Sequence, residues 1–184
     1  MSGMRRCAWC NPRNPRYIEY HDREWGILRT DDRYLYEMLI LESFQAGLSF
    51  ECILNKREAF RLAYEGFCPE RVAAFGEEKI AELLGNAAII RNRGKIRASI
   101  ENTGIFLGIV KECGSFYRYL TAFAGDRVLY ETGKTRSALS DAIAADLRGR
   151  GMRFVGSTVI YSYLQAIGLI HSHEKECYLH KRGE

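Results

Sequence analysis

The chain has 184 residues, 47% hydrophobic and 12% aromatic, with only 3 prolines. That composition suits one compact domain around a buried core and excludes a disordered chain. Twenty-seven basic against 23 acidic residues leave a net charge of +4, which permits an anionic partner without requiring one. No apolar run approaches the ~20 residues of a bilayer span, and no secretory core follows the first residues. The expectation is a cytoplasmic protein with no membrane partner.

Apolar spacing is helical almost throughout, so the expected fold class is all-α. Thr30-Asp31 caps a helix over about 32–46, with Leu35, Met38, Leu39 and Glu42 on one stripe. Ser49 caps a second, in which Ile53, Phe60, Ala63 and Phe67 recur at helical steps. Pro69 opens a short helix through Phe75, and another covers 77–84 before Gly85-Asn86 breaks it. A basic turn follows, Arg91-Asn92-Arg93-Gly94-Lys95-Ile96-Arg97, leading into a helix to about 102. Further helices are expected at 103–113, 115–123, 138–149 and 157–169, with a long loop at 125–137.

Six cysteines in a reducing compartment read as free thiols or metal ligands rather than disulfides. Cys52 and Cys113 fall in helical patterns as packing residues, and Cys68 precedes Pro69 at a helix boundary. Cys7, Cys10 and His21 lie near the N-terminus, and His171, His173, Cys177 and His180 in the tail. His173 and Cys177 share a face if their segment is helical, and thiolate with imidazole is the donor set Zn²⁺ prefers. Spacing leaves open whether Cys10 or His21 joins Cys7. A solvated tail with incidental histidines is the plainer alternative.

Glu42 faces the core side of its helix, where an unpaired carboxylate costs several kcal/mol. It is either a functional acid or a structural one bonded near the helix end. Trp9, Tyr17, Tyr20 and Trp25 crowd around His21, and either cover a core edge or stack on a planar ligand such as a nucleobase. Arg91, Arg93, Lys95 and Arg97 form a solvated face or a grip on a phosphate backbone. No acid occurs from Ile89 to Ile100, which favours the second reading.

Several of these blocks together resemble the 3-methyladenine DNA glycosylase I family. They are Cys7-Ala-Trp9, Tyr17-Ile-Glu-Tyr20-His21-Asp-Arg-Glu-Trp25-Gly26 and Leu41-Glu42-Ser-Phe-Gln45-Ala46-Gly47-Leu48-Ser49. Ile89 through Ile96, Arg153-Phe154-Val155-Gly156-Ser157-Thr158, Tyr161 through Leu169 and His173-x-x-x-Cys177 continue the match in order. The resemblance covers essentially the whole chain as a single domain.

The resemblance implies a helix-hairpin-helix DNA glycosylase fold whose termini are joined by one structural zinc. Its ligands would be Cys7, His21, His173 and Cys177, leaving Cys10, His171 and His180 outside the set. Glu42 becomes the catalytic, base-binding acid, with Tyr17, Tyr20, Trp9, Trp25 and Phe50 forming the pocket for a flipped 3-methyladenine. Arg91, Arg93, Gly94 and Lys95 would grip the DNA backbone at a hairpin over 86–94. The implied partner is alkylated double-stranded DNA, bound by a monomer. The implied reaction is hydrolysis of the N-glycosidic bond in base-excision repair, leaving an abasic site. No lysine is placed by motif as a Schiff-base nucleophile, so a monofunctional enzyme is expected.

Two departures stand out. Phe50 occupies a position where the family often carries Trp, and Asn86-Ala87-Ala88 replaces the usual Asp-Ala-Gly. Ala88 is compatible only with a negative φ. Two alternatives remain at this stage: a zinc-stabilised DNA-binding module without catalysis, and a glycosylase with another alkylpurine preference. The loop at 125–137 and the Gly47-Leu48 turn are the candidates to wedge into the duplex.

Overall fold

The computed structural model describes residues 4–181. The first helix, α1 (Pro15–Arg23), has no counterpart among the helices expected from the sequence. Its buried face consists of Tyr17, Tyr20 and His21, a helical spacing hidden by their polar atoms. Asn14 caps it through the Arg16 N–H, and Pro15 occupies the first turn.

Helix α2 (Asp32–Gln45) begins where Asp31 accepts the Tyr34 N–H at 2.9 Å. Every residue from Leu35 to Phe44 is buried. The expected stripe is therefore one side of a helix enclosed all round. It packs against α3 (Phe50–Asn55), α7 (Arg93–Cys113), α8 (Phe116–Ala124) and α10 (Ser157–Ala166).

The helix expected from Ser49 to Phe67 is three pieces: α3, α4 (Arg57–Ala63) and a 3₁₀ turn at Glu65–Phe67. Lys56 leaves helical geometry between the first two, and Glu65, Gly66 and Phe67 all have positive φ. Arg33 donates two hydrogen bonds to the Gly66 carbonyl, tying this kink to α2. Helices α5 (Pro69–Ala73) and α6 (Glu77–Gly85) follow.

The two helices expected before and after residue 103 are one, α7, because Gly104 and Gly108 lie within it without breaking it. It ends at Gly114, φ 87°, in the left-handed conformation that stops many helices. Ser115 caps α8, and a reciprocal Ser137/Ser140 box caps α9 (Ala138–Gly149). Helix α10 stops at Ala166 rather than 169. Gly168, φ 76°, lies against the Ile27–Leu28 backbone so closely that any side chain there would collide with it.

Two two-residue strands modify the all-α expectation. β1 (Leu129–Tyr130) pairs in parallel with β2 (Ile170–His171), joining the 125–137 loop to the tail. Beyond β2 the described residues of the tail form turns and no helix. Among the described residues no helix is long and apolar enough to cross a membrane.

Lys95 departs from the exposed row expected of it. It is buried, and its ammonium donates to the carbonyls of Phe44 (2.8 Å) and Ala46 (2.6 Å), closing the C-terminal end of α2. Successive side chains turn by about 100° around a helix, so the first turn of α7 presents Arg93 and Gly94 outward while Lys95 turns in. Losing two charge-assisted hydrogen bonds and stranding both carbonyls should cost roughly 2 kcal/mol. Urea denaturation of Lys95→Met should show that loss; an unchanged midpoint and slope would contradict the capping role.

Candidate functional site

A cavity of about 430 Å³ opens beside the middle of α2. Trp9, Tyr17, Tyr20 and Trp25 form one wall, and Phe50 and Gln45 another, with Glu42 among them. All six residues expected around a base thus meet in one place. The rings brace each other: Trp9 lies 4.8 Å from Trp25 edge to face and 5.2 Å from Tyr17, and Tyr20 lies 5.0 Å from Phe50. Rings packed on one another at these angles hold each other in place as cavity wall.

Glu42 is 2% exposed. No hydrogen bond reaches its carboxylate among the described residues, and Oε2 is fully enclosed without a partner. Most other buried polar groups are compensated, the Tyr163 hydroxyl and one Arg57 nitrogen excepted. Tyr36 shares a hydrogen with Thr103 at 2.6 Å, Tyr64 with Ser99 at 3.0 Å, and Glu37 receives both Arg57 (2.6 Å) and Arg61 (2.9 Å). Glu42 has no such cation. Burial alone pushes its carboxyl up to about 8, so it is mostly protonated at neutral pH. The Tyr20 phenol is raised well above its ordinary range by burial and then by the neighbouring Glu42, while burial pushes Tyr17 up to about 12.

The rest of the cavity was not identified from the sequence. Residues 133–135 of the long loop form part of its rim, with Ser162 and Gln165 of α10 and Ser172 and Glu174 of the tail. The α10 pair lies within a quoted family block, whereas only the fold brings the loop and tail across.

Cys7, His21, His173 and Cys177 converge in one buried cluster, their donor atoms all within 4.8 Å of one another. The Cys7 and Cys177 sulfurs each lie 3.5 Å from His173 Nδ1, and Cys177 lies 3.5 Å from His21 Nε2. A tetrahedral ion with arms of about 2.3 Å to sulfur and about 2.0 Å to nitrogen has sulfur–nitrogen edges of about 3.5 Å. The donor set can therefore hold a metal ion. His173 and Cys177 meet through a turn, not through the helical face the spacing suggested.

Cys10 is excluded because its thiol is directed at the Tyr17 carbonyl (3.7 Å). His171 faces the Gly26 and Leu179 carbonyls, and His180 faces the carbonyl of His173.

The groups behind the cluster suit a cation. His21 Nδ1 lies 2.7 Å from Asp22, and His173 Nε2 lies 3.3 Å from the Trp25 carbonyl, leaving the opposite nitrogens for the ion. Arg6 holds Asp22 down at about 2. Burial, with His21 nearby, holds His173 down at about 4, so it is a neutral imidazole. The Cys7 thiol is pushed up to about 12 by burial and then by Cys177. Two thiolates here thus need a compensating positive charge.

At the α6–α7 turn, Arg91, Arg93 and Gly94 are exposed, and neither arginine is ion-paired among the described residues. Arg97 is paired with Glu77 at 2.7 Å. The turn is braced by buried Ile89 and by Lys56, which donates to the carbonyls of Ala87 and Ala88. Ala88 is not among the positive-φ residues, so its replacement of glycine causes no strain.

These features belong to a known class: residues 9–180 match the methyladenine glycosylase family, and the chain belongs to it. The DNA-3-methyladenine glycosylase 1 of Escherichia coli (strain K12) is 40% identical over 180 residues, covering 95% of this chain and 96% of that protein. A crystal structure of 3-methyladenine DNA glycosylase I superimposes with a TM-score of 0.92 at 41% identity, covering 96% of this chain and 100% of the other. The Staphylococcus aureus enzyme, solved to show the structural basis of 3-methyladenine recognition, gives a TM-score of 0.91 at 30% identity over 98% and 99% of the chains.

A carboxyl raised by folding makes stability pH-dependent. Well below pH 4.5, Glu42 is protonated in both folded and unfolded chains. As pH rises through 4.5 toward 8 the unfolded chain ionises first, so stability falls, and the loss levels off above about pH 8. Glu42→Gln should therefore come closest to wild type in Tm below pH 4.5 and exceed it by roughly 5 °C or more at pH 9. A Tm difference that does not vary with pH would contradict this account.

Proposed function

We propose that this chain is a monofunctional DNA glycosylase that excises 3-methyladenine from alkylated double-stranded DNA in base-excision repair. The observation that carries the reading is the unpartnered Glu42 carboxylate inside an aromatic cavity roomy enough to admit a nucleobase. Methylation at N3 makes adenine cationic in DNA and weakens its glycosidic bond, so the enzyme needs discrimination more than chemical power. The nucleotide is extruded at a cost of a few kcal/mol, less for a damaged pair.

In the cavity, Glu42 supplies what the cation lacks elsewhere. Ionised, it attracts the positive base and accepts its hydrogen bonds, while the rings of Trp9, Trp25, Tyr17, Tyr20 and Phe50 stack on it. Normal adenine offers no charge to offset ionisation of a buried acid, so it binds poorly. Methylation already makes the base a good leaving group: the C1′–N9 bonding pair departs with it, so the base leaves neutral. Water adds at C1′ with loss of a proton to solvent, giving the abasic site. The cavity's part is to select the cationic base and hold the extruded nucleotide in place. Phe50 keeps the stacking face but lacks the indole N–H.

Arg91, Arg93 and the α7 N-terminal backbone at Gly94 grip the DNA backbone in a helix-hairpin-helix arrangement, with Lys95 bracing α2 beneath. The exposed Leu48, beside left-handed Gly47, is the favoured wedge for the vacated duplex. Zinc is the expected ion for Cys7, His21, His173 and Cys177, held structurally because four protein donors fill its tetrahedron. Its chemistry is to neutralise two thiolates and lock the termini. The chain is expected to work as a cytoplasmic monomer forming a single domain.

Incubating methylated duplex DNA with the protein should release 3-methyladenine and leave abasic sites. No released base would sink the enzymatic reading, and release mainly of 7-methylguanine would replace the assigned specificity. Glu42→Gln should weaken binding of free 3-methyladenine about tenfold or more; unchanged affinity would remove Glu42 from base recognition. Metal analysis should find about one zinc per chain, lost in Cys177→Ala and retained in Cys10→Ala.

A further inference from the structure

The loop over 125–137 is longer than most connections in a compact domain, and such loops often carry function. Both of its ends are pinned. β1 pairs with β2, the Glu131 N–H donates to the His171 carbonyl at 3.2 Å, and the Ser137 box closes the far end. Gly133, φ 71°, turns the tip so that Gly133, Lys134 and Thr135 reach the cavity rim.

Lys134 is the one cation among the residues lining that cavity; its acids are Glu42 and Glu174. The Lys134 ammonium lies 3.2 Å from the Glu131 carboxylate, which also accepts a hydrogen bond from the Tyr161 hydroxyl at 3.2 Å. Lys134 is thus hung from a fixed acid, with its side chain still 53% exposed. A cation deep in the cavity would repel a cationic base. At the rim it faces what stays outside when a base enters, namely the sugar and its phosphates.

We propose that Lys134 binds a phosphodiester flanking the extruded nucleotide, steadying it while Glu42 and the rings hold the base. The assignment rests on the glycosylase reading, and it adds a phosphate contact across the cavity from the base-recognition groups. Lys134 is a DNA-binding residue here and takes no part in base recognition.

Two titrations separate these roles. Duplex binding is measured with a stable abasic-site analogue across a range of salt concentrations. Free 3-methyladenine is followed by quenching of Trp9 and Trp25, the chain's two tryptophans, both of which line the cavity. Lys134→Ala should weaken duplex binding roughly 5–10-fold near 0.1 M salt and reduce the salt slope by about one, leaving free-base affinity unchanged. Lys134→Arg should retain most of both duplex values. Arg127→Ala, an exposed change on the same loop outside the cavity, should have a smaller effect than Lys134→Ala.

Unchanged duplex affinity and slope in Lys134→Ala would overturn the proposal. So would an equal loss for the free base. A wild-type protein that binds neither ligand would remove the glycosylase reading, and this proposal with it.

Discussion

One carboxylate without a partner sits in the most enclosed helix of the protein, and the surrounding structure absorbs its cost. Glu42 opens the last turn of α2, whose residues from Leu35 to Phe44 are all buried. The aliphatic and aromatic packing of that helix against α7, α8 and α10 is the surplus that allows this carboxylate to go unsatisfied. Lys95 and Asp31 close its two ends, so the helix holds its register without help from Glu42. Binding strength is thereby stored as strain in the empty site, to be released by a ligand carrying the missing charge.

The metal cluster and the cavity are two sides of one wall. Cys7 and Trp9 share the N-terminal strip, Tyr17, Tyr20 and His21 share α1, and His173 and Glu174 share the tail. In each segment one residue points to the cluster and a near neighbour to the cavity. Trp25 joins them directly: its ring lines the cavity and packs edge-on against His173 at 4.7 Å, while its carbonyl faces His173 Nε2. An ion on these four donors would hold the aromatic wall as well as the termini.

The helix caps at Asp31 and Ser49, and the buried position of Glu42, are legible in local spacing, because each depends on residues within one or two turns. The family blocks added the ligand set and the pocket aromatics, and the four ligands do converge. What depends on distant contacts is not legible. The stop of α10 at Ala166 comes from the Ile27–Leu28 backbone, and the inward turn of Lys95 comes from α2 carbonyls about fifty residues earlier. Helix α1 was hidden because its buried face carries hydroxyls and an imidazole rather than aliphatic groups. The loop at 125–137 reads correctly as a loop, but only β1–β2 pairing shows that it borders the cavity.

The account's central claim is that burial holds Glu42 protonated and that binding a cationic base expels this proton to solvent, leaving a carboxylate paired with the cation. Calorimetric titration with a permanently cationic N-methylpurine, in two buffers of different ionisation enthalpy, counts that proton directly. At pH 7, a carboxyl starting near 8 should release close to one proton on binding, and Glu42→Gln should release none. Binding without proton release, or the same release from Glu42→Gln, would contradict the account.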